Sequence, residues 1–269
     1  MASDSAPTAN AAGDPVLLSV VQGALSNIQE EMTATLMRSG RSNVATIARD
    51  FSNALFDGQA EMILQGQDIP IHLGSLMFGM KGVAGYFGDD VHPGDVFYHN
   101  DPATGGSHLP DMCAFKPIFV DGQLAFWGAS KLHVVDAGGP VPSSYNIDAT
   151  ENYAEGLRIP PVRLVDKGLM RQDVLDLILA NVRMNENQAG DLRAQLGAVG
   201  IAERRLTELC AKYGLEAIQG ATEGLKDLAD QQMRSVVRET HDGTASGPVP
   251  IEDTGHGFGG LGIVAEVRV

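Results

Sequence analysis

A hairpin signal dominates the middle of the sequence, where Asp121-Gly122 stands between two apolar segments, 114–120 and 123–136. Asp-Gly between alternating apolar residues is the strongest short-range signal for a β-hairpin with a two-residue turn. These segments are therefore predicted to be neighbouring antiparallel strands. A second such dipeptide, Asp57-Gly58, predicts another hairpin within residues 54–65.

Apolar residues recur at helical spacing towards both ends of the chain. Asp14 suits an N-cap and Pro15 suits a first helical turn, so a long amphipathic helix is predicted to begin there. Further helices are predicted at Gly74–Tyr86, 172–184, 189–213 and 215–238. Together with the hairpins, they predict an α+β fold in which short, largely antiparallel strands pack with an N-terminal helix and a C-terminal helical region.

Three parts of the chain differ in composition and in the periodicity of their apolar residues. Residues 1–13 are predicted to be a flexible leader and residues 14–248 a folded domain. Residues 249–269 are predicted to be a glycine-rich loop and a terminal strand. Because this strand has no obvious partner in the sequence, another chain is expected to complete its pairing.

The net charge of −15 repels phosphate backbones and anionic lipid headgroups, so neither nucleic acid nor a membrane is expected as a partner. The two cysteines, Cys113 and Cys210, form no CxxC motif. With no signal peptide and no apolar segment of membrane-spanning length, a cytoplasmic location is expected.

Four of the seven histidines fall between residues 92 and 133. His108 and Asp111 are three positions apart, and Pro110 forces a bend between them. A regular two-residue turn would place Asp111 opposite Leu132, one position short of His133. A bulge in the hairpin, or the bend at Pro110, would bring His133 onto the side of His108 and Asp111.

Two imidazoles and a carboxylate on one face of an ion leave positions open for water or substrate, a pattern suited to Mn²⁺, Fe²⁺ or Zn²⁺. His108, Asp111 and His133 are therefore the predicted metal ligands and catalytic residues. The alternative, which spacing alone leaves open, is a pair of hydrogen-bonded loop histidines beside a capping aspartate.

Four other residues carry weaker predictions. Asn100 and Asp101 are predicted to orient a substrate, although Asn-Asp-Pro is also ordinary turn chemistry. Arg158 is predicted to hold an anionic substrate, with a plain surface charge as the alternative. Asp136, three positions after His133, is predicted to support that histidine or to bind the ion itself, with a capping role as the alternative.

Four motifs in order resemble the hydantoinase B/oxoprolinase family, whose members include oxoprolinase, N-methylhydantoinase, and acetone and acetophenone carboxylases. The motifs are Asn100–Asp111, Ala129–Gly139, Ala149–Arg163 and Gly190–Gln195. In the carboxylases, a Mn ion is bound by a His-x-x-Asp pair and a later histidine, which match His108, Asp111 and His133. Many relatives have a second histidine where this chain has Val134.

The resemblance implies a cytoplasmic, multi-subunit, ATP-dependent enzyme whose metal-binding subunit is this chain. A hydantoinase A-type partner would bind ATP, and the substrate would be a cyclic amide such as a hydantoin, lactam or oxoproline. Because family members are commonly much longer, a further chain is expected to supply the C-terminal half. The alternatives are an ATP-dependent ketone carboxylase, a non-catalytic assembly subunit and a free-standing metal hydrolase.

Overall fold

A computed structural model of the protein describes residues 14–250 and 262–268. The predicted leader at 1–13 and most of the predicted glycine-rich loop lie outside the described residues. Among the residues that are described, no helix is long and apolar enough to cross a lipid bilayer.

Five α-helices are present in the described residues, in agreement with the helical segments predicted from periodicity. They are α1 (Pro15–Ser39), α2 (His72–Phe87), α3 (Gln172–Ala180), α4 (Asn185–Tyr213) and α5 (Leu215–Glu239). Asp14 caps α1 as predicted, since its carboxylate accepts a hydrogen bond from the backbone N–H of Val16 at 2.9 Å. Helix α2 begins two residues before the predicted start, which places His72 in its first turn.

Seven strands form one antiparallel sheet in the order β2-β1-β5-β4-β3-β6-β7. They are β1 (Phe51–Asp57), β2 (Met62–Gln65), β3 (Val96–His99), β4 (Asp111–Val120), β5 (Gln123–His133), β6 (Val162–Asp166) and β7 (Leu169–Met170). Both predicted hairpins are present, and the α+β class is confirmed. No strand was predicted for the segments in which β3, β6 and β7 lie.

The terminal strand β9 (Gly262–Arg268) pairs with β8 (Thr244–Pro250) of the same chain, a partner that the sequence pattern did not indicate. Completion of this small sheet by another chain stays a prediction.

Helices cover both faces of the large sheet, which explains why all seven residues of β1 are buried. Helices α1, α4 and α5 pack on one face around Phe51, Leu55 and Leu132. Helix α2 packs on the other face around Phe56 and Trp127. Polar residues of β1, β4 and β5 lie at one end of this second face, under the start of α2.

Candidate metal centre

A register shift in the central hairpin brings the predicted ligands together. The pairing of β4 with β5 slips by one residue between Ile118 and Phe119. Asp111 therefore lies directly opposite His133, and not opposite Leu132 as a regular two-residue hairpin would place it. Since opposed residues point to the same face of a sheet, the bulge puts both side chains under α2.

His108 joins this pair through the bend that the proline was expected to make. The backbone N–H of Asp111 donates to the carbonyl of His108 at 3.0 Å, which closes a tight turn. The Nε2 atom of His108 then lies 2.8 Å from Asp111 Oδ1. His133 Nδ1 lies 3.2 Å from that same oxygen and 3.2 Å from His108 Nε2. The structure thus brings all three predicted ligands to one point.

The second oxygen of the Asp111 carboxylate is held by protein groups. Asp111 Oδ2 accepts a hydrogen bond from Ser107 Oγ at 2.6 Å and lies 3.0 Å from the Lys131 ammonium. His72 Nε2 lies 3.5 Å from the same oxygen. Burial by itself would raise the pKa of Asp111, but the hydrogen bonds from His108, His133 and His72 and the Lys131 charge hold that pKa well below its usual range.

Helix α2 contributes a polar stripe that meets the sheet. His72 Nδ1 lies 3.0 Å from Ser52 Oγ on β1, and Ser75 Oγ, one helical turn later, accepts a hydrogen bond from Lys131 Nζ at 2.7 Å. Ser52 and Lys131 are opposed across β1 and β5, so both face this helix. Sequence reasoning missed His72, Ser75, Ser107 and Lys131 as members of the site. Lys131 had one available signal, because residues two apart on a strand share a face and Lys131 precedes His133 by two.

A cavity of about 490 Å³ opens above the three predicted ligands. Its floor is polar, formed by the ligands together with His72, Ser75, Ser107 and Lys131. Asp50 contributes a carboxylate at the side, and the remaining wall is apolar, formed by Ile69, Ile71 and Tyr145. The volume is within the usual range for small-molecule sites, about 300–1,000 Å³.

Asn100, Asp101 and Arg158 lie outside this cavity. The buried Asn100 amide donates to the carbonyls of Leu109 and Leu157. Asp101 caps a short 3₁₀ turn and accepts from Arg158 Nε at 2.8 Å. These contacts brace the loops beside His108, and substrate binding by the three residues stays a prediction.

Asp136 binds Arg183 instead of His133. Its carboxylate accepts from the backbone N–H of Arg183 at 2.8 Å, from the guanidinium of Arg183 at 3.2 Å and from Ser144 Oγ at 3.3 Å. Ser144 is followed by Tyr145, whose ring centre is 6.0 Å from that of His133. Any support that Asp136 gives to His133 is therefore indirect, through the loop that carries Tyr145.

The donor set of His108, Asp111 and His133 fits a divalent ion. Bonds of about 2.1 Å place adjacent ligand atoms about 3.0 Å apart around an octahedral ion and about 3.4 Å apart around a tetrahedral one. The observed separations of 2.8, 3.2 and 3.2 Å lie near both values, so the three atoms are close enough together to bind one ion. Two histidines and one carboxylate on one octahedral face are a known ligand pattern for metals that bind water or substrate at the open positions.

The sheet topology and this ligand set define an α+β domain with a candidate metal site. A family model described as hydantoinase B/oxoprolinase matches residues 14–269. The chain belongs to the hydantoinase B/oxoprolinase family, which confirms the resemblance seen in the motifs.

Relatives and solved structures agree with this assignment. The chain is 54% identical to the caprolactamase subunit beta of Pseudomonas jessenii over 256 residues, which cover 95% of this chain and 44% of that protein. It is similar to the crystal structure of the ATP-dependent caprolactamase from Pseudomonas jessenii, with a TM-score of 0.91 and 55% identity over 95% of this chain and 44% of that one. A nucleotide-free acetone carboxylase structure shares the fold, with a TM-score of 0.82 and 21% identity over 88% of this chain and 32% of that one. The chain thus spans less than half the length of these proteins.

Proposed function

We propose that this chain is the metal-binding catalytic subunit of a multi-subunit, ATP-dependent enzyme that opens the ring of a cyclic amide. The observation that carries the proposal is the meeting of His108, Asp111 and His133 at the floor of an open cavity. The name of the Pseudomonas jessenii relative, a caprolactamase subunit, favours a lactam among the cyclic amides.

Manganese is the metal that we propose for the three ligands, with iron or zinc as alternatives. Two imidazoles and one carboxylate suit all three ions, and the resemblance of the ligand motif to that of the Mn-binding carboxylases favours Mn²⁺. The chemistry supplied by a bound ion is Lewis-acid polarisation of a carbonyl or phosphoryl oxygen.

Residues of this chain hold the ligands in place. Lys131 and Ser107 engage one oxygen of Asp111, which leaves the other oxygen directed between His108 and His133. The backbone N–H of His133 donates to the carbonyl of Asp50 at 3.0 Å, and this contact fixes the end of β5. A ligand set that is oriented before the substrate arrives needs no reorganisation during the reaction.

The partners are also proposals. ATP would bind to a hydantoinase A-type chain, and transfer of its γ-phosphoryl group to the amide oxygen would release ADP and make the amide carbon more electrophilic. Water would then add to that carbon, the ring C–N bond would break with protonation of the nitrogen, and hydrolysis of the resulting acyl phosphate would give the carboxylate and phosphate.

Reconstitution of the complex tests the proposal. Caprolactam should stimulate ATP hydrolysis and yield the ring-opened amino acid, and elemental analysis should find about one divalent ion per chain of this type. His108→Ala should remove both the ion and the turnover, whereas His241→Ala, at an exposed histidine, should change neither.

Two results would contradict the proposal. A strict requirement for bicarbonate in ATP hydrolysis would identify a ketone carboxylase instead. Unchanged turnover in His108→Ala, together with no bound metal, would identify a non-catalytic assembly subunit.

A further inference from the structure

The cavity above the ligands has one wall that the proposed metal chemistry does not use. Ile71 is 81% exposed and Tyr145 is 68% exposed, yet both line this cavity together with the half-buried Ile69. Large apolar side chains that stay exposed around a polar floor mark a surface that an apolar ligand covers.

The charges of the cavity are the second observation. Among the described residues that line it, Lys131 is the only lysine or arginine. An ammonium has three N–H donors, and those of Lys131 are directed to Ser75, Ser107 and Asp111 at 2.7, 2.6 and 3.0 Å. The Lys131 side chain is also 1% exposed, so it has neither a free donor nor an open side for an anionic group of a ligand.

Asp50 adds a negative charge at the side of the cavity. Its side chain is 37% exposed, and its carboxylate lies 3.9 Å from His72 Nε2. An anionic substituent on the part of the ring that faces this wall, away from the proposed ion, would therefore meet a carboxylate and apolar side chains, and no lysine or arginine with a free donor would compensate for its lost hydration.

From these observations we infer that Ile69, Ile71 and Tyr145 select uncharged lactams. Their side chains pack against the methylene groups of the ring, while the ring amide faces His108, Asp111 and His133. This inference rests on the proposed function and specifies the substrate class of the same site. Hydantoins, with a second polar amide, and oxoproline, with a ring carboxylate, would be poor substrates. Each additional buried methylene should raise the apparent affinity about four-fold.

The test compares three substrates on the reconstituted complex: caprolactam, the five-membered butyrolactam, and oxoproline, which is butyrolactam with a carboxylate. The wild-type complex should prefer caprolactam to butyrolactam, and butyrolactam to oxoproline by at least about ten-fold in kcat/KM. Ile71→Asn should lower kcat/KM for caprolactam about ten-fold and that for butyrolactam much less. Ile71→Lys should raise the ratio of oxoproline to butyrolactam turnover.

Ile47→Asn is the matched control, since Ile47 is 73% exposed and does not line the cavity. It should leave the substrate order unchanged. Gel filtration of each variant complex shows whether the subunits stay associated, and so distinguishes a residue that contacts substrate from one that contacts another subunit. If Ile71→Asn lowers the rates for all three substrates equally, or dissociates the complex without altering their ratios, the inference is overturned while the proposed function stands. If the wild-type complex opens oxoproline or a hydantoin but no uncharged lactam, the inference fails and the proposed function stands; if it opens no cyclic amide, both fail.

Discussion

Lys131 offers the sharpest test of how the ligand cluster is held together. Its ammonium contacts Asp111 Oδ2, Ser75 Oγ and Ser107 Oγ, and this ion pair is buried, since the Lys131 side chain is 1% exposed and the Asp111 side chain 6%. Lys131→Met keeps an unbranched side chain but removes the charge and the three donors. The Asp111 carboxylate then stays buried without its cation.

The expected loss is large because a charge remains unpaired in the protein interior. Removing one partner of a buried ion pair costs about 3–5 kcal/mol in the free energy of unfolding. A divalent ion bound at the other oxygen of Asp111 would supply positive charge in place of the ammonium. The loss should therefore be largest in chelator and smaller in the presence of Mn²⁺.

Urea titrations in EDTA and in Mn²⁺ measure the free energy of unfolding without and with the ion. Lys81→Met is the control, because Lys81 is an exposed lysine on α2, and it should change stability by less than about 0.5 kcal/mol. A loss in Lys131→Met no greater than that of the control would refute the role of the ammonium. An equal loss with and without Mn²⁺ would show that no ion shares the carboxylate.

Two further predictions concern stability. Burial lowers the pKa of His99 from 6.5 to about 4, so the unfolded chain binds this proton below about pH 6.5 and the folded chain only near pH 4. The free energy of unfolding should fall by about 3 kcal/mol as the pH drops through this window. His99→Phe should reduce this pH dependence. If the slope of the free energy of unfolding against pH is the same in His99→Phe and in the wild type, the low pKa of His99 is contradicted. Gly82→Ala should destabilise the protein by about 1–3 kcal/mol, because its Cβ would collide with the backbone carbonyl of Thr104. Gly85 lies on the same helix with free space around it, so Gly85→Ala should stabilise the protein by up to about 1 kcal/mol, measured by thermal unfolding. Equal effects of the two substitutions would exclude the close contact at Gly82.

Local signals predicted most of the fold. The turn dipeptides Asp57-Gly58 and Asp121-Gly122 and the helical spacing of apolar residues identified both hairpins and the helices, because each depends on neighbouring residues alone. Strand β3 was not predicted, because its four residues lie in a segment rich in glycine, proline and aspartate. Such short strands are specified by pairing with distant residues, which a local pattern does not reveal.

The candidate site was predictable only where its members are close in sequence or joined by the hairpin. His108 and Asp111 are three positions apart, and the turn at Asp121-Gly122 brought His133 near them. His72 reaches the site from a helix that precedes the hairpin, so no spacing rule connects it to Asp111. The contacts of Asn100 were not predictable either, since its amide is bound by three backbone groups that come together only in the folded chain.

The bulge in the central hairpin determines which side chains face α2. Without it, Asp111 would pair with Leu132, and the even-numbered residues of β5 would lie on the face of Asp111. Lys131 and His133 would then point into the apolar layer formed with α1 and α4, where a lysine without a partner is strongly disfavoured. With the bulge, Leu132 enters that layer, and the two polar residues meet Asp111 under α2. One additional residue in β5 thus places an apolar side chain in the apolar layer and also brings the proposed metal ligands together. The same bulge therefore contributes to the stability of the hairpin and to the geometry of the candidate site.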